Sequence, residues 1–232
     1  MKLVLTEFAI REKLIESLRS SGEAEDTVFF REMFIQNFAR RADLVVANGK
    51  LVAFEIKSAR DSLGRLDGQV SAYVEHFEQV TVVAATKHLQ PVLRNVPNSV
   101  GVWEVLDSGD LVIHRCAPER RVTKCKLLTF LPVDELRSFV RANGKHVSGG
   151  RAELSTVAQT FPRDVIRDYV LSYMKRRTHR VEVRKLRRQG AGAKLHGIAQ
   201  EHTVAQCRLN RFLATLQQGE QLTRAIPRRV AG

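Results

Sequence analysis

The stretch RADLVVANGKLVAFEIKS, residues 41–58, reads as a β-hairpin carrying charge where strands rarely carry it. Asn48-Gly49 is a strong turn signal between two apolar runs. Asp43 stands near the start of the first run, and Glu55 and Lys57 close the second. Unpaired charge buried among apolar strands is costly, so the three need a joint reason to be there. Side chains alternate faces along a strand, which puts Glu55 and Lys57 on one face with Leu51 and Ala53. Where Asp43 falls depends on the loop. A two-residue Asn48-Gly49 loop would pair Asp43 with Phe54 and turn it to the wrong face. A three-residue loop, Ala47-Asn48-Gly49 with Gly49 left-handed, pairs Val46 with Lys50 and sets Asp43 opposite Ala53, diagonal to Glu55. The charges can meet only with that loop or an equivalent bulge, which leaves Leu44, Val46, Val52, Phe54 and Ile56 as a core face.

Two carboxylates on one face repel and raise each other's pKa unless a cation holds them. Oxygen ligands of this kind suit Mg²⁺ or Mn²⁺ rather than zinc. A lysine two residues on can orient or help deprotonate a water, or stabilise charge developing on a phosphate. Together these are the parts of metal-assisted phosphodiester hydrolysis.

The flanking sequence supplies a frame for the hairpin. Residues 6–19 have apolar Ile10, Leu14 and Leu18 behind a Thr6 cap, an amphipathic helix. Residues 27–38, TVFFREMFIQNF, predict a first strand and a connection. After the hairpin, 62–78 return to helical period with Leu66, Val70, Tyr73, Val74 and Phe77, although Gly64 and Gly68 blur the start. QVTVVAAT, 79–86, has the uniform apolarity of a strand buried on both faces. A helix near 88–95 and strands at 100–106 and 111–116 follow. The reading is an α/β domain with a mixed sheet over residues 1–117, then a basic, mainly helical extension over 118–232. Within the extension, 131–140 and 161–170 share the pattern Leu/Phe-Pro-x-Asp-x-Leu/Ile-Arg-x-Phe/Tyr-Val, which predicts two similar helix starts. A flexible segment is expected near 188–197, and a last helical stretch near 199–217.

The spacing Asp43…Glu55-Ile56-Lys57 resembles the D…E-x-K signature of the PD-(D/E)xK nuclease superfamily, the restriction-endonuclease-like fold. Gln69 and Tyr73 resemble the Q-x-x-x-Y motif of its RecB-like branch, and the string EIKSARDSLGRLDGQVSAY, 55–73, is most similar to small bacterial members. The resemblance covers roughly residues 1–177 and is strongest at 40–90. It departs from the pattern at Ala42, where the superfamily has proline. It implies a Mg²⁺- or Mn²⁺-dependent nuclease, most naturally a deoxyribonuclease, with Asp43, Glu55 and Lys57 catalytic and Gln69 supporting Lys57 or the substrate. Asp43, Glu55 and the intervening Ile56 would hold the metal. Many members add a glutamate from the first helix. Glu7, Glu12 and Glu16 qualify, Glu12 being preferred for its distance from Asp43, and Glu32 and Tyr73 are further candidates. DNA repair, recombination and defence against foreign DNA are all settings consistent with such an activity.

Charge points the same way. Residues 1–114 hold 13 Lys+Arg against 16 Asp+Glu, whereas 115–232 hold 25 against 9 of the total. A basic half of net +16 suggests a polyanionic partner, nucleic acid first and DNA above RNA. Arg40 and Arg41 beside the site and Arg176, Arg177, Arg180, Arg184, Lys185, Arg187 and Arg188 are the expected phosphate contacts. The competing reading is a non-catalytic nucleic-acid-binding protein that keeps the fold and a vestigial triad. A homodimer or a partner protein is compatible with either. Three cysteines without paired spacing, no signal-peptide pattern and no run of about 18 apolar residues lead us to expect a cytoplasmic protein with reduced thiols and no membrane partner.

Overall fold

A computed structural model describes residues 5–20, 27–35 and 39–188, with 178–188 described as backbone alone. The expected break near 188–197, the helix near 199–217 and the side chains of Arg180, Arg184, Lys185, Arg187 and Arg188 lie outside the described residues. The chain divides into two compact units, 1–175 and 176–232.

The first unit is α/β, with one six-stranded mixed sheet flanked by helices. It opens with α1 (Glu7–Ser20) and β1 (Val28–Ile35), then the hairpin β2 (Arg40–Ala47) and β3 (Leu51–Lys57). Next come α2 (Leu66–His76), β4 (Gln79–Ala85), α3 (Thr86–Asn95), β5 (Gly101–Val105) and β6 (Leu111–Arg115). The strands lie side by side in chain order, β1 to β6. β3, β4 and β5 run parallel and the outer pairs antiparallel. Parallel neighbours require crossovers, and α2 and α3 supply them. Four helices follow: α4 (Lys124–Leu128), α5 (Val133–Ala142), α6 (Arg151–Ala158) and α7 (Arg163–Arg188). The shared pattern does mark two helix starts, since Pro132 and Pro162 immediately precede α5 and α7.

Alternation along β2 and β3 sorts their side chains onto two cores. Leu44, Val46, Phe54 and Ile56 pack with Ile10, Leu14 and Ile15 of α1, which the Thr6 hydroxyl caps by accepting the Ala9 N–H at 3.2 Å. Val45, Ala47, Leu51 and Ala53 face the larger core with Leu66, Val70 and Tyr73 of α2. That larger core runs on through Val122, Leu127, Leu136, Phe139, Leu154, Ile166 and Met174. The domain limit expected at residue 117 is therefore wrong for this chain. The helices after β6 supply one layer of the same core, and charge composition does not register a shared apolar face.

Candidate functional site

The hairpin has a three-residue loop, one residue later than the sequence suggests. Ala47 pairs with Leu51, leaving Asn48, Gly49 and Lys50 in the turn. Asn48 N–H donates to the Lys50 carbonyl at 3.1 Å, and Gly49 takes a left-handed φ of 63°. An odd loop length preserves the required parity. The ladder ends at Leu44 paired with Phe54, and the next step in the same register sets Asp43 against Glu55 instead of diagonal to it.

The strands part at that point. The Ile56 N–H donates to Asp43 Oδ2 at 2.7 Å, where a regular ladder would offer a carbonyl. Lys57 Nζ reaches Glu55 Oε1 at 2.8 Å and Gln69 Oε1 at 3.0 Å. The Tyr73 hydroxyl lies 2.9 Å from Glu55 Oε2 and 2.7 Å from the Arg41 carbonyl, with one proton to donate. Gln69 and Tyr73, one turn apart on α2, thus address the same carboxylate–lysine pair.

Glu55 is 1% exposed, Lys57 6% and Asp43 7%. They form the floor of a cleft of about 320 Å³, whose walls include Glu7, Phe34, Arg40, Arg41, Arg65 and Gln69. Burial, and then the Glu55 charge, push the Asp43 carboxyl up to about 7, against the Ile56 N–H that favours its ionised form. Burial also raises Glu55, with Lys57 opposing it. The Tyr73 hydroxyl is driven upward by burial and the Glu55 charge, and stays protonated. One ammonium serves two buried acids, and it contacts Glu55.

The other expected residues divide. Ile56 lines the cleft, its N–H donating to Asp43. Glu7, and not Glu12, is the α1 acid at the cleft. Five helical residues turn the chain by about 140°, so Glu12 points elsewhere and holds Arg31 at 2.9 Å. Glu32 stands beside the site without lining it, paired with Arg41 at 3.1 Å and Arg11 at 3.4 Å. It is also the one non-glycine residue with positive φ among the described residues, 53°, at the point where the β1–β2 register skips Asp43. Arg41 lines the cleft with its guanidinium committed to Glu32. Sequence reasoning missed buried Arg11, whose guanidinium donates to the Asp43 carbonyl and to Glu7. Arg40, expected beside Arg41 as a phosphate contact, does line the cleft, whereas Arg65 and Phe34 were missed. No spacing rule marks these, because they come from different elements.

Among the described residues no three His, Cys, Asp or Glu side chains meet in a metal cage. The donor set that is present is two buried carboxylates without a full complement of positive charge. Such a pair suits a hard divalent cation that keeps part of its water shell. Chemically, the cleft offers an oxygen-lined anion floor, an ammonium beside it and guanidinium groups at the rim.

A family model described as bacteriophage P4 protein cII matches residues 1–195. Protein cII of Enterobacteria phage P4 is 37% identical over 185 residues, which span 77% of this chain and 70% of the relative. A solved structure, the SPO1766 protein of unknown function from Silicibacter pomeroyi, matches with a TM-score of 0.41 and 20% identity, covering 53% of this chain and 80% of that one. A likeness that weak carries no argument. By the first two matches, the chain belongs to the bacteriophage P4 protein cII family.

Proposed function

We propose that this protein is a metal-dependent nuclease of the PD-(D/E)xK type, hydrolysing phosphodiester bonds, in DNA before RNA. The observation that carries the reading is the register of one hairpin. It brings Asp43 to the same cleft as Glu55 and Lys57, with Asp43 Oδ2 accepting the Ile56 N–H at 2.7 Å and Lys57 Nζ 2.8 Å from Glu55. A structural ion pair would explain Glu55 and Lys57. It would not explain a second buried acid with no cation of its own.

In this reading Asp43, Glu55 and the Ile56 carbonyl would hold Mg²⁺ or Mn²⁺, which would supply Lewis-acid charge for phosphodiester hydrolysis. Lys57 orients the attacking water and stabilises charge on the phosphate, while Gln69 fixes the direction of its ammonium. Tyr73 holds the far oxygen of Glu55. Arg40 and Arg65 at the rim meet the strand, and the basic residues from Arg176 onward add salt-sensitive affinity. A cytoplasmic site of action fits an enzyme of this kind. No helix among the described residues is long and apolar enough to cross a membrane.

The test is cleavage of linear, circular, single-stranded and branched DNA in Mg²⁺, Mn²⁺ or EDTA, with wild type, Asp43→Ala and Lys57→Ala. Metal-dependent cutting lost in both variants, with binding retained, supports the reading. Folded wild-type protein that binds DNA and never cuts in either metal sinks it.

A further inference from the structure

Two neighbouring residues of β1, Arg31 and Glu32, each form a Glu–Arg pair, and the pairs are built differently. Arg31 meets Glu12 through two bonds, Nε and Nη2 to the two carboxylate oxygens, each at 2.9 Å. That geometry is a strut between β1 and α1. Arg41 and Glu32 are comparably open to water, their side chains 46% and 44% exposed. They share a single contact, Nη1 to Oε2 at 3.1 Å, which leaves the other donors of the guanidinium uncommitted to Glu32.

Glu32 reaches Arg41 through an irregular backbone. Its φ of 53° breaks the alternation of β1, so that Arg31 and Glu32 are exposed in succession where a regular strand would turn one of them inward. A left-handed φ is costly for a residue with a β-carbon and persists only where the surroundings hold it. Buried Arg11 meets the other oxygen of the same carboxylate, Nη1 to Oε1 at 3.4 Å. The two oxygens of Glu32 therefore have different partners, a buried guanidinium on α1 and an exposed one at the cleft wall.

Arg40 and Arg65 line the same cleft and make no ion pair among the described residues. Arg41 is the cleft arginine with an acid against it, and that acid cancels much of the charge an approaching phosphate would meet. An exposed, singly bonded ion pair is weak in water, whereas a phosphate can take a guanidinium by two parallel bonds. Exchange favours the phosphate, and it leaves no orphan charge, because Glu32 Oε1 stays with Arg11. Only the Arg41 side chain has to move, since its carbonyl lies 2.7 Å from the Tyr73 hydroxyl.

We propose that Glu32 is a built-in counter-ion of the cleft, which occupies Arg41 in the free protein and gives it up to a nucleic-acid phosphate while keeping Arg11. This rests on the reading of the cleft as a nuclease site and adds a control of its affinity: the internal carboxylate holds down binding to any passing phosphate backbone.

The experiment titrates labelled oligo(dT) and a duplex of equal length with the full chain in EDTA, over about 50 to 200 mM salt. Wild type, Glu32→Gln, Arg41→Ala, the double variant and Glu12→Gln are compared, the last removing the same charge from the two-bonded pair. Glu32→Gln is expected to tighten binding roughly three- to fivefold at the lowest salt. An arginine freed of its internal counter-ion must release one from solution. The slope of log affinity against log salt should therefore steepen by about 0.7 on oligo(dT) or about 0.9 on the duplex. Neither change should appear in the Arg41→Ala background, and Glu12→Gln should shift affinity less than about twofold. Should Glu32→Gln fail to fold by circular dichroism, Glu32→Asn removes the same charge with a side chain suited to left-handed backbone. Weaker binding by the Glu32 variant, an equal gain with Arg41→Ala, or no binding of either DNA by folded wild type would overturn the proposal. The same proteins are then assayed for cutting in Mg²⁺ and Mn²⁺. A gain that needs Arg41, with no cutting, sinks the nuclease reading alone, whereas cutting by protein whose affinity ignores Glu32 sinks this proposal alone.

Discussion

Strand β3 ends in a buried acid cluster on either side, and the two clusters are neutralised in opposite ways. Before its first residue, Glu78 is as buried as Glu55 and accepts the Leu51 N–H at 2.9 Å. Arg167 Nε lies 2.6 Å from the Glu78 carboxylate and Arg163 lies 3.4 Å from it, two cations for one acid. Arg167 also donates to the Gly49 carbonyl, which ties α7 to the hairpin loop. At the far end, Asp43 and Glu55 share one lysine, with Glu7 on the same cleft. The first cluster lacks nothing and acts as a clamp. The second holds a buried acid, Asp43, whose carboxyl contacts no cation among the described residues, which lowers stability when it is ionised and leaves a place for something positive.

The largest effect that would sharpen this contrast is chemical. Lys57→Ala should lower DNA cleavage by roughly 10²- to 10⁴-fold while binding changes little, measured by single-turnover cutting beside fluorescence anisotropy. Glu78→Ala should do the reverse. It leaves two partly buried guanidiniums without a counter-charge and is expected to cost about 3 kcal/mol, a fall of several degrees in Tm by calorimetry. A neutral outcome would mean that the clamp is dispensable and the contrast is one of appearance.

A smaller effect separates the clusters by pH. The Asp43 carboxyl titrates near 7 in the folded protein and near 3.8 when unfolded, so folding takes up a proton between these values. Its contribution is fully present below about pH 4 and is lost as pH rises through 7. Urea unfolding in EDTA should show wild type losing stability over that window, and Asp43→Asn should flatten the decline. Mn²⁺ added at pH 7.5 should raise the Tm of wild type and leave that of Asp43→Asn unchanged, because the cation favours the ionised acid. A decline that survives the substitution would place the titrating group elsewhere.

The smallest effect is at Gly68. Gly68→Ala removes a glycine from the first turn of α2, worth up to about 1 kcal/mol, and crowds the Arg40 guanidinium. Tm should rise by a degree or two while oligo(dT) affinity falls a few-fold. A gain in both would show that Arg40 adjusts freely and plays no part in holding the strand.

Local pattern carried much of this molecule. The element order as far as β6, the α1 stripe of Ile10 and Leu14, the two-faced hairpin and the Pro-initiated helices α5 and α7 follow from periodicity and caps, which are properties of neighbouring residues, whereas the short helices α4 and α6 were not expected. The co-location of Asp43, Glu55 and Lys57 is nearly of this kind, because alternation and an odd loop suffice. The exact register is not. Asn48-Gly49 allows several loops, and the expected and the observed registers put the same side chains on the same faces, so alternation alone does not choose the pairing of Ala47 with Leu51. The reach of the larger core past residue 117, the choice of Glu7 over Glu12 at the cleft, and the meeting of Phe34, Arg40 and Arg65 were settled in three dimensions. Each depends on how separate elements pack, and packing free energy is shared among residues far apart in the chain.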